Sequence, residues 1–296
     1  MKHRAVLMIL FLAFSALFLS GCDVAVLNPK GIIAIAEKQM LIDAVLLMSL
    51  IVVPVLILTV IIARRYRASN TKAAYRPDWS HNVWLEVVWW SIPLIIIVCL
   101  ATMTWKSAHK LDPYRPLDST VKPIEIDVVA LDWRWLFIYP EQKIATVNLV
   151  AFPVNTPVNF YLTADAPMNS FQIPQLAGQI YAMPAMRTQL HLMANAIGDY
   201  AGRSTNFSGD GFANMIFTAR ALSQADFDAW VTSVKQSPQA LTLMNYTTLA
   251  KPSEYETPLY FSSVEEGLFD KIIMKFMMPD STMPVSETRP PLKFYK

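Results

Sequence analysis

The chain has 296 residues, 54% of them hydrophobic and only 16% charged, with a mean hydropathy of +0.33. Soluble domains carry roughly 25% charged residues, so the composition argues against an ordinary cytosolic enzyme. It also argues against disorder, because this much apolar surface has to be buried. The net charge of +2 hides a split: residues 1–110 hold 11 basic and 5 acidic side chains, whereas residues 111–296 hold 14 and 18. No Lys/Arg cluster interleaved with aromatics marks the second part, so nucleic acid is not expected as a partner.

Lys2, His3 and Arg4 precede an apolar run from Ala5 to Leu19, followed by Ser20, Gly21 and Cys22. A positive start, a short apolar core and small residues before a break form a secretory signal pattern over residues 1–21. Leu19-Ser20-Gly21-Cys22 also resembles a bacterial lipobox, in which cleavage precedes the cysteine and Cys22 becomes lipidated. Asp23 resembles the signal that keeps such lipoproteins in the inner membrane. The competing reading is a plain first transmembrane helix, although the run is short of the ~20 residues a span needs.

Two longer apolar segments follow within residues 22–110, with spans expected at about 41–63 and 86–106. Ala44 to Ala63 and Val87 to Trp105 carry no charge, and Pro54 and Pro93 inside them are tolerated in membrane helices. The loop between them holds Arg64, Arg65, Arg67, Lys72 and Arg76 against Asp78 alone, which places it in the cytoplasm by the positive-inside rule. The segments then form a hairpin, and everything after Lys106 lies outside the cytoplasm. Trp79, Trp84, Trp89, Trp90 and Trp105 sit near the span ends as an aromatic belt would. Glu86 stands at the cytoplasmic mouth of the second span. It has two readings: a carboxylate snorkelling among headgroups, or a proton-pathway entrance. Cys99, in mid-helix, reads as a small packing residue.

After Pro123 the period changes to two. Ile124, Ile126 and Val128 alternate with Glu125 and Asp127, as in a half-buried strand. Further strands are expected at Trp135–Tyr139, Thr146–Val150, Val158–Thr163, Gln189–Met193 and Met215–Thr218. Prolines and glycines punctuate them, which suggests a β-sandwich or Greek-key barrel over about 120–220. From Ser223, a plausible N-cap, the pattern turns helical, with Phe227, Trp230, Val231 and Val234 on one face. Helices are also expected at Gln239–Leu249 and Val264–Met278, so residues 221–296 form a small helical extension with an extended tail from Pro279.

A two-helix hairpin before an exported β-sandwich resembles subunit II of the haem-copper oxidases along nearly the whole chain. In cytochrome c oxidases that subunit ends in a cupredoxin domain with a binuclear copper centre. Its pattern is a histidine before Ser-Phe, then Cys-x-Glu-x-Cys-Gly-x-x-His-x-x-Met, the soft ligands an electron-transferring copper requires. Here Asn169 precedes Ser170-Phe171, and the second stretch reads Ser204-Thr205-Asn206-Phe207-Ser208-Gly209-Asp210-Gly211-Phe212-Ala213-Asn214-Met215. Asn169, Ser204, Asn206, Ser208 and Phe212 thus replace the copper ligands, and Met215 alone is retained. No cysteine follows Cys99, so none is left for copper.

The runs from Asp132 to Gln142 and from Ser170 to Met183 resemble the ubiquinol oxidase branch, of cytochrome bo type. The resemblance implies the lipid-anchored subunit II of a proton-pumping quinol oxidase in a bacterial inner membrane, with its sandwich in the periplasm. It implies that this chain binds no cofactor, and that haem b, haem o, copper and ubiquinol belong to subunit I. Subunits I, III and IV and membrane lipid are the expected partners. Glu86 matches the family's Glu-x-x-Trp, which marks the mouth of a proton channel shared with subunit I. The alternatives are a cytochrome c oxidase subunit with a remodelled copper site and a stand-alone lipoprotein module. Trp133 and Trp135 match the family's aromatic segment and are expected to pack against subunit I. Met183, Met186, Met193 and Met215 are expected in the sandwich core, and His191 as a single hydrogen-bonding histidine.

Overall fold

The computed structural model describes residues 24–74, 78, 80–253 and 257–277. The signal segment 1–21, Cys22, Asp23, Arg76, Trp79 and the tail from Pro279 lie outside the described residues.

After a short 3-10 turn at Ala25–Leu27 come two long helices, α1 (Ile32–Arg65) and α2 (Val83–Lys110). Both are long and apolar enough to cross a membrane. At 1.5 Å per residue the 34 residues of α1 reach about 50 Å, well beyond a ~30 Å hydrocarbon core. The surplus lies at the start of α1, where Glu37, Lys38, Gln39 and Asp43 interrupt the apolar surface. Within the apolar stretches, the hydroxyls of Ser49, Thr59 and Thr102 donate to the carbonyls of Val45, Val55 and Val98 at 2.7, 2.7 and 2.9 Å. Each hydroxyl is thereby satisfied without water, as a bilayer demands.

Residues 124–222 form ten strands. They are β1 (Ile124–Ala130), β2 (Trp135–Tyr139), β3 (Ile144–Val147), β4 (Leu149–Pro153), β5 (Val158–Ala164), β6 (Asn169–Gln172), β7 (Gln179–Ala182), β8 (Thr188–Leu192), β9 (Gly198–Ser204) and β10 (Ile216–Leu222). One sheet runs β3-β2-β1-β5-β8 and the other β4-β10-β9-β6-β7. The two parallel pairs, β1 with β5 and β4 with β10, give the sandwich its crossed connections. Between the sheets lie Trp135, Phe137, Phe160, Phe171 and Phe217, all buried. Phe171 and Phe217 stack at 4.9 Å, and Trp135 meets Phe171 edge-on at 5.2 Å.

The expected strand Thr146–Val150 is two strands in different sheets. Asn148 takes a left-handed φ of 55°, which asparagine tolerates, and turns the chain from one sheet to the other. Its side-chain oxygen accepts from Trp135 N at 2.9 Å, and its carbonyl accepts from Thr218 N at 3.0 Å. The sheet switch is therefore pinned from both sides. Residues 198–204, with Gly198 and Gly202 expected as punctuation, form β9 instead. Gly202 lies there because Phe217 fills the space beside it: a Cβ at Gly202 would lie 2.1 Å from Phe217 Cζ.

The C-terminal extension is less purely helical than its sequence suggests. Helix α3 (Gln224–Lys235) starts where expected, with Ser223 Oγ accepting from Asp226 N. The segment 239–249 divides into β11 (Ala240–Leu241) and α4 (Leu243–Leu249), whose N-cap is Thr242. Then β12 (Leu259–Phe261) pairs antiparallel with β3 and completes a six-stranded sheet. Val264 belongs to β13 (Ser263–Val264), and the last helix, α5 (Leu268–Met277), starts only after Gly267, whose φ is +68°.

The extension is locked to the sandwich by buried charge. The Asp165 side chain, 3% exposed, accepts from Tyr246 Oη on α4 and from Lys275 Nζ on α5, both at 2.7 Å. Burial, reinforced by the bond to Asp165, pushes the Tyr246 phenol far up, so it stays a donor. Arg187 lies between the rings of Tyr161 and Phe269 and pairs with Asp270 at 3.3 Å.

Because a methyl at position 202 has nowhere to go, Gly202→Ala is expected to destabilise the protein by about 1–3 kcal/mol through overpacking. Urea unfolding of the purified chain measures it, and Phe217→Leu in the same chain is expected to recover part of the loss. A wild-type midpoint for Gly202→Ala alone would contradict the close contact.

Candidate functional site

Two places carry the residues that the sequence singles out: the loop between β9 and β10, and the start of α2. In the first, β6 delivers Asn169 to the edge of the core and β9 ends on Ser204, its hydrogen-bonded neighbour. Ser204 Oγ donates to Asn169 Oδ1 at 2.9 Å, and Asn169 Nδ2 donates to Pro167 O at 2.8 Å. Asn206 Nδ2 donates to Met168 O at 2.9 Å, so two of the expected ligand positions pin the two loops together. Thr205 Oγ1 and Ser170 Oγ both donate to Gln179 Oε1, at 2.8 and 3.2 Å.

The loop continues over the Trp133 indole. Trp133 Nε1 donates to Ser208 O at 3.2 Å, and Gly209 and Gly211 lie flat on the ring. A Cβ on Gly211 would fall 2.4 Å from Trp133 Cδ2, so only glycine permits this approach. Phe212 tilts against Phe207 at 5.6 Å, and Phe207 itself is 76% exposed. Met215 is buried. The structure therefore brings Asn169, Ser204, Asn206, Ser208, Phe212 and Met215 to one end of the sandwich, as the motif spacing requires.

Their chemistry does not fit a binuclear copper. The set offers amides, hydroxyls, a phenyl ring and one thioether, with no thiolate or imidazole, and Asn169, Ser204 and Asn206 already bond to protein atoms. Among the described residues, no group of three or more His, Cys, Asp or Glu side chains is placed to hold a metal.

Several expected roles change here. Trp135 is fully buried between Phe171 and Phe217 and cannot face a partner subunit; the period-two alternation of β2 turns it inward. Of the four methionines expected in the core only Met215 is buried. Met183 and Met193 are half-buried, and Met186 is exposed beside Ala185, where a left-handed φ of 60° turns the chain between β7 and β8. Cys99 is exposed on α2 rather than packed within the chain. His191 lies on β8 and its Nδ1 meets Asn159 Oδ1 at 2.8 Å; burial holds its imidazole below the usual range.

At the second place, Asn82 caps α2 by accepting from Leu85 N at 3.1 Å, which leaves the Glu86 carboxylate unused by the helix end. His81 Nδ1 approaches Glu86 Oε1 at 2.7 Å. The sequence reading missed His81, although its position five residues before an isolated glutamate was visible.

A joint that the sequence reading did not anticipate links hairpin and sandwich. Lys30 N donates to Gln175 O at 2.7 Å, Ala34 N to Leu176 O at 3.2 Å, and Asn195 N to Lys30 O at 2.7 Å. A Cβ on Gly31 would fall 2.4 Å from Leu176 O. The Glu37 carboxylate accepts from the Gly178 backbone. This joint uses Gln175, Leu176 and Gly178 of the Ser170–Met183 run.

The family model "Cytochrome C oxidase subunit II, periplasmic domain" matches residues 118–222, and "COX Aromatic Rich Motif" matches 235–280. Among solved structures, the periplasmic domain of cytochrome oxidase subunit II from Bradyrhizobium japonicum is 20% identical, covering 37% of this chain and 91% of its own, at a TM-score of 0.36. The cytochrome bo(3) ubiquinol oxidase subunit 2 of Pseudomonas putida is 56% identical over 260 residues, 88% of this chain and 83% of that protein. The ubiquinol oxidase subunit 2 of Acetobacter aceti is 48% identical over 264 residues, 88% of this chain and 86% of that protein. With identity of this order along most of both sequences, and with a membrane hairpin and sandwich that agree with it, the chain belongs to the subunit 2 family of ubiquinol oxidases, within the haem-copper oxidases.

Proposed function

We propose that this chain is the subunit of a proton-pumping quinol oxidase that passes no electrons itself. The carrying observation is the donor set at the copper positions: Asn169, Ser204, Asn206, Ser208 and Phe212 stand where soft ligands would be needed. A lone Met215 thioether cannot hold an electron-transferring copper. Ubiquinol is then oxidised elsewhere in the complex, with haem b, haem o, the copper of the oxygen site and the quinol site in subunit I. Subunits III and IV complete the assembly.

In this reading the division of the chain follows its sequence. Residues 1–21 are a signal peptide, Cys22 carries a lipid anchor, and the hairpin within 22–110 holds the chain in the inner membrane with its basic loop in the cytoplasm. Residues 120–220 and the extension 221–296 form a periplasmic cap. The Asp165 cluster and the Gly31 joint supply what a cap needs, a rigid body fixed to the membrane helices.

Glu86 is the chain's contribution to proton movement. It lies in the first turn of α2, beside a basic loop, where its carboxylate bonds to His81 rather than to the helix end. A carboxylate there exchanges protons between cytoplasmic water and a channel shared with subunit I.

Copper offered to the purified chain in detergent is expected to dialyse away without a thiolate-to-copper absorption band. Stoichiometric, coloured retention would instead mark a remodelled electron-transfer site. Glu86→Ala is expected to slow ubiquinol oxidation by about 10²-fold, the low end of acid–base losses, with the haem spectrum of the complex unchanged. Wild-type turnover in that variant would return Glu86 to a headgroup-snorkelling role.

A further inference from the structure

We propose that His81 is the proton donor that loads Glu86. The inference deepens the reading of Glu86 as a proton entrance and rests on it. The two side chains meet at 2.7 Å between His81 Nδ1 and Glu86 Oε1. His81 stands outside the helix, before the Asn82 cap, and Glu86 inside its first turn. The imidazole therefore folds back over the carboxylate from the solvent side. Exposure follows the same order, at 62% for the His81 side chain and 41% for that of Glu86. Water thus reaches the imidazole more freely than the carboxylate, and a proton taken up by the ring is already in contact with Glu86.

The surroundings explain why a carboxylate would use a donor here. Helix α1 ends on Arg64 and Arg65, and the loop leading to α2 carries Arg67 and Lys72. A basic loop of this kind keeps hydronium dilute around it, so a fixed donor in contact with the carboxylate supplies protons faster than free diffusion alone. Imidazole has two nitrogens, so it accepts a proton on one while it gives from the other. A hydronium protonates Nε2, and the proton on Nδ1 passes to Glu86 Oε1. The ring is left neutral with its proton on Nε2, and the carboxylate is neutralised. Exchange with water, which reaches the exposed ring, moves that proton from Nε2 back to Nδ1 and restores the starting tautomer. No electron moves and one proton is carried per cycle.

His81 acts through Glu86, so it is a positioning and proton-feeding residue. The test compares His81→Ala, His81→Gln and Glu86→Ala in the intact oxidase, with haem content as the assembly control. Ubiquinol oxidation is measured with and without added imidazole. Both His81 variants are expected to slow turnover about tenfold, less than losing a general acid without substitute, because water still reaches the carboxylate. His81→Gln keeps an N–H donor for Glu86 but cannot carry a proton, so it separates relay from anchoring. Imidazole is expected to restore His81→Ala and to leave Glu86→Ala slow. Wild-type turnover in His81→Gln, or no rescue of His81→Ala, overturns the donor role while a slow Glu86→Ala keeps the entrance. A wild-type rate in Glu86→Ala removes the entrance and the donor together.

Discussion

The periplasmic body hangs from the membrane by a backbone clasp. Gly31 lies under the carbonyl of Leu176 so closely that no side chain fits, and hydrogen bonds from Lys30, Ala34 and Asn195 close the contact on three sides. Backbone-to-backbone contacts tolerate little displacement, because each bond has a short and directional optimum. The surplus turns of α1 become a rigid post, with Glu37 bonded to Gly178 on the same loop. After α2 the chain is held again, where the His191 backbone donates to Pro113 O at 3.3 Å. The hairpin and sandwich are thus joined at both crossings.

That rigidity bears on the loop between β9 and β10. Its geometry is fixed by features with no metal in them: the Asn169–Ser204 bond, the Asn206–Met168 bond, and two glycines pressed on Trp133. In an electron-transferring relative, ligand bonds would tie the same strands. Here neutral hydrogen bonds do so, each worth about 0.5–1.5 kcal/mol. Beneath the loop, the sandwich core from Trp135 to Phe217 holds its two ends.

The hairpin was legible from hydropathy alone, because an uncharged run of about twenty residues matches the thickness of a bilayer core. β1 was legible from alternation, whereas the residues at the copper-motif positions were picked out only through the family resemblance. What stayed hidden depends on long-range contacts. Asn148 sits inside an unbroken β-type run, and only the opposing strands turn it into a sheet switch. Gly202 looked like a turn residue because the ring that fills its Cβ space comes from Phe217, fifteen positions on. Strand β12 was invisible because a three-residue segment gains its identity from the free edge of β3. The partnership of His81 with Glu86 needed the helix start at Asn82 to be fixed first.

What this chain contributes turns on where electrons enter the complex that contains it. Oxygen uptake by the purified oxidase, given either ubiquinol or reduced cytochrome c, tests that most directly. The structure leads us to expect rapid uptake with ubiquinol and none above background with cytochrome c. Comparable turnover with cytochrome c would mean that the loop between β9 and β10 carries electrons after all, and would contradict the account.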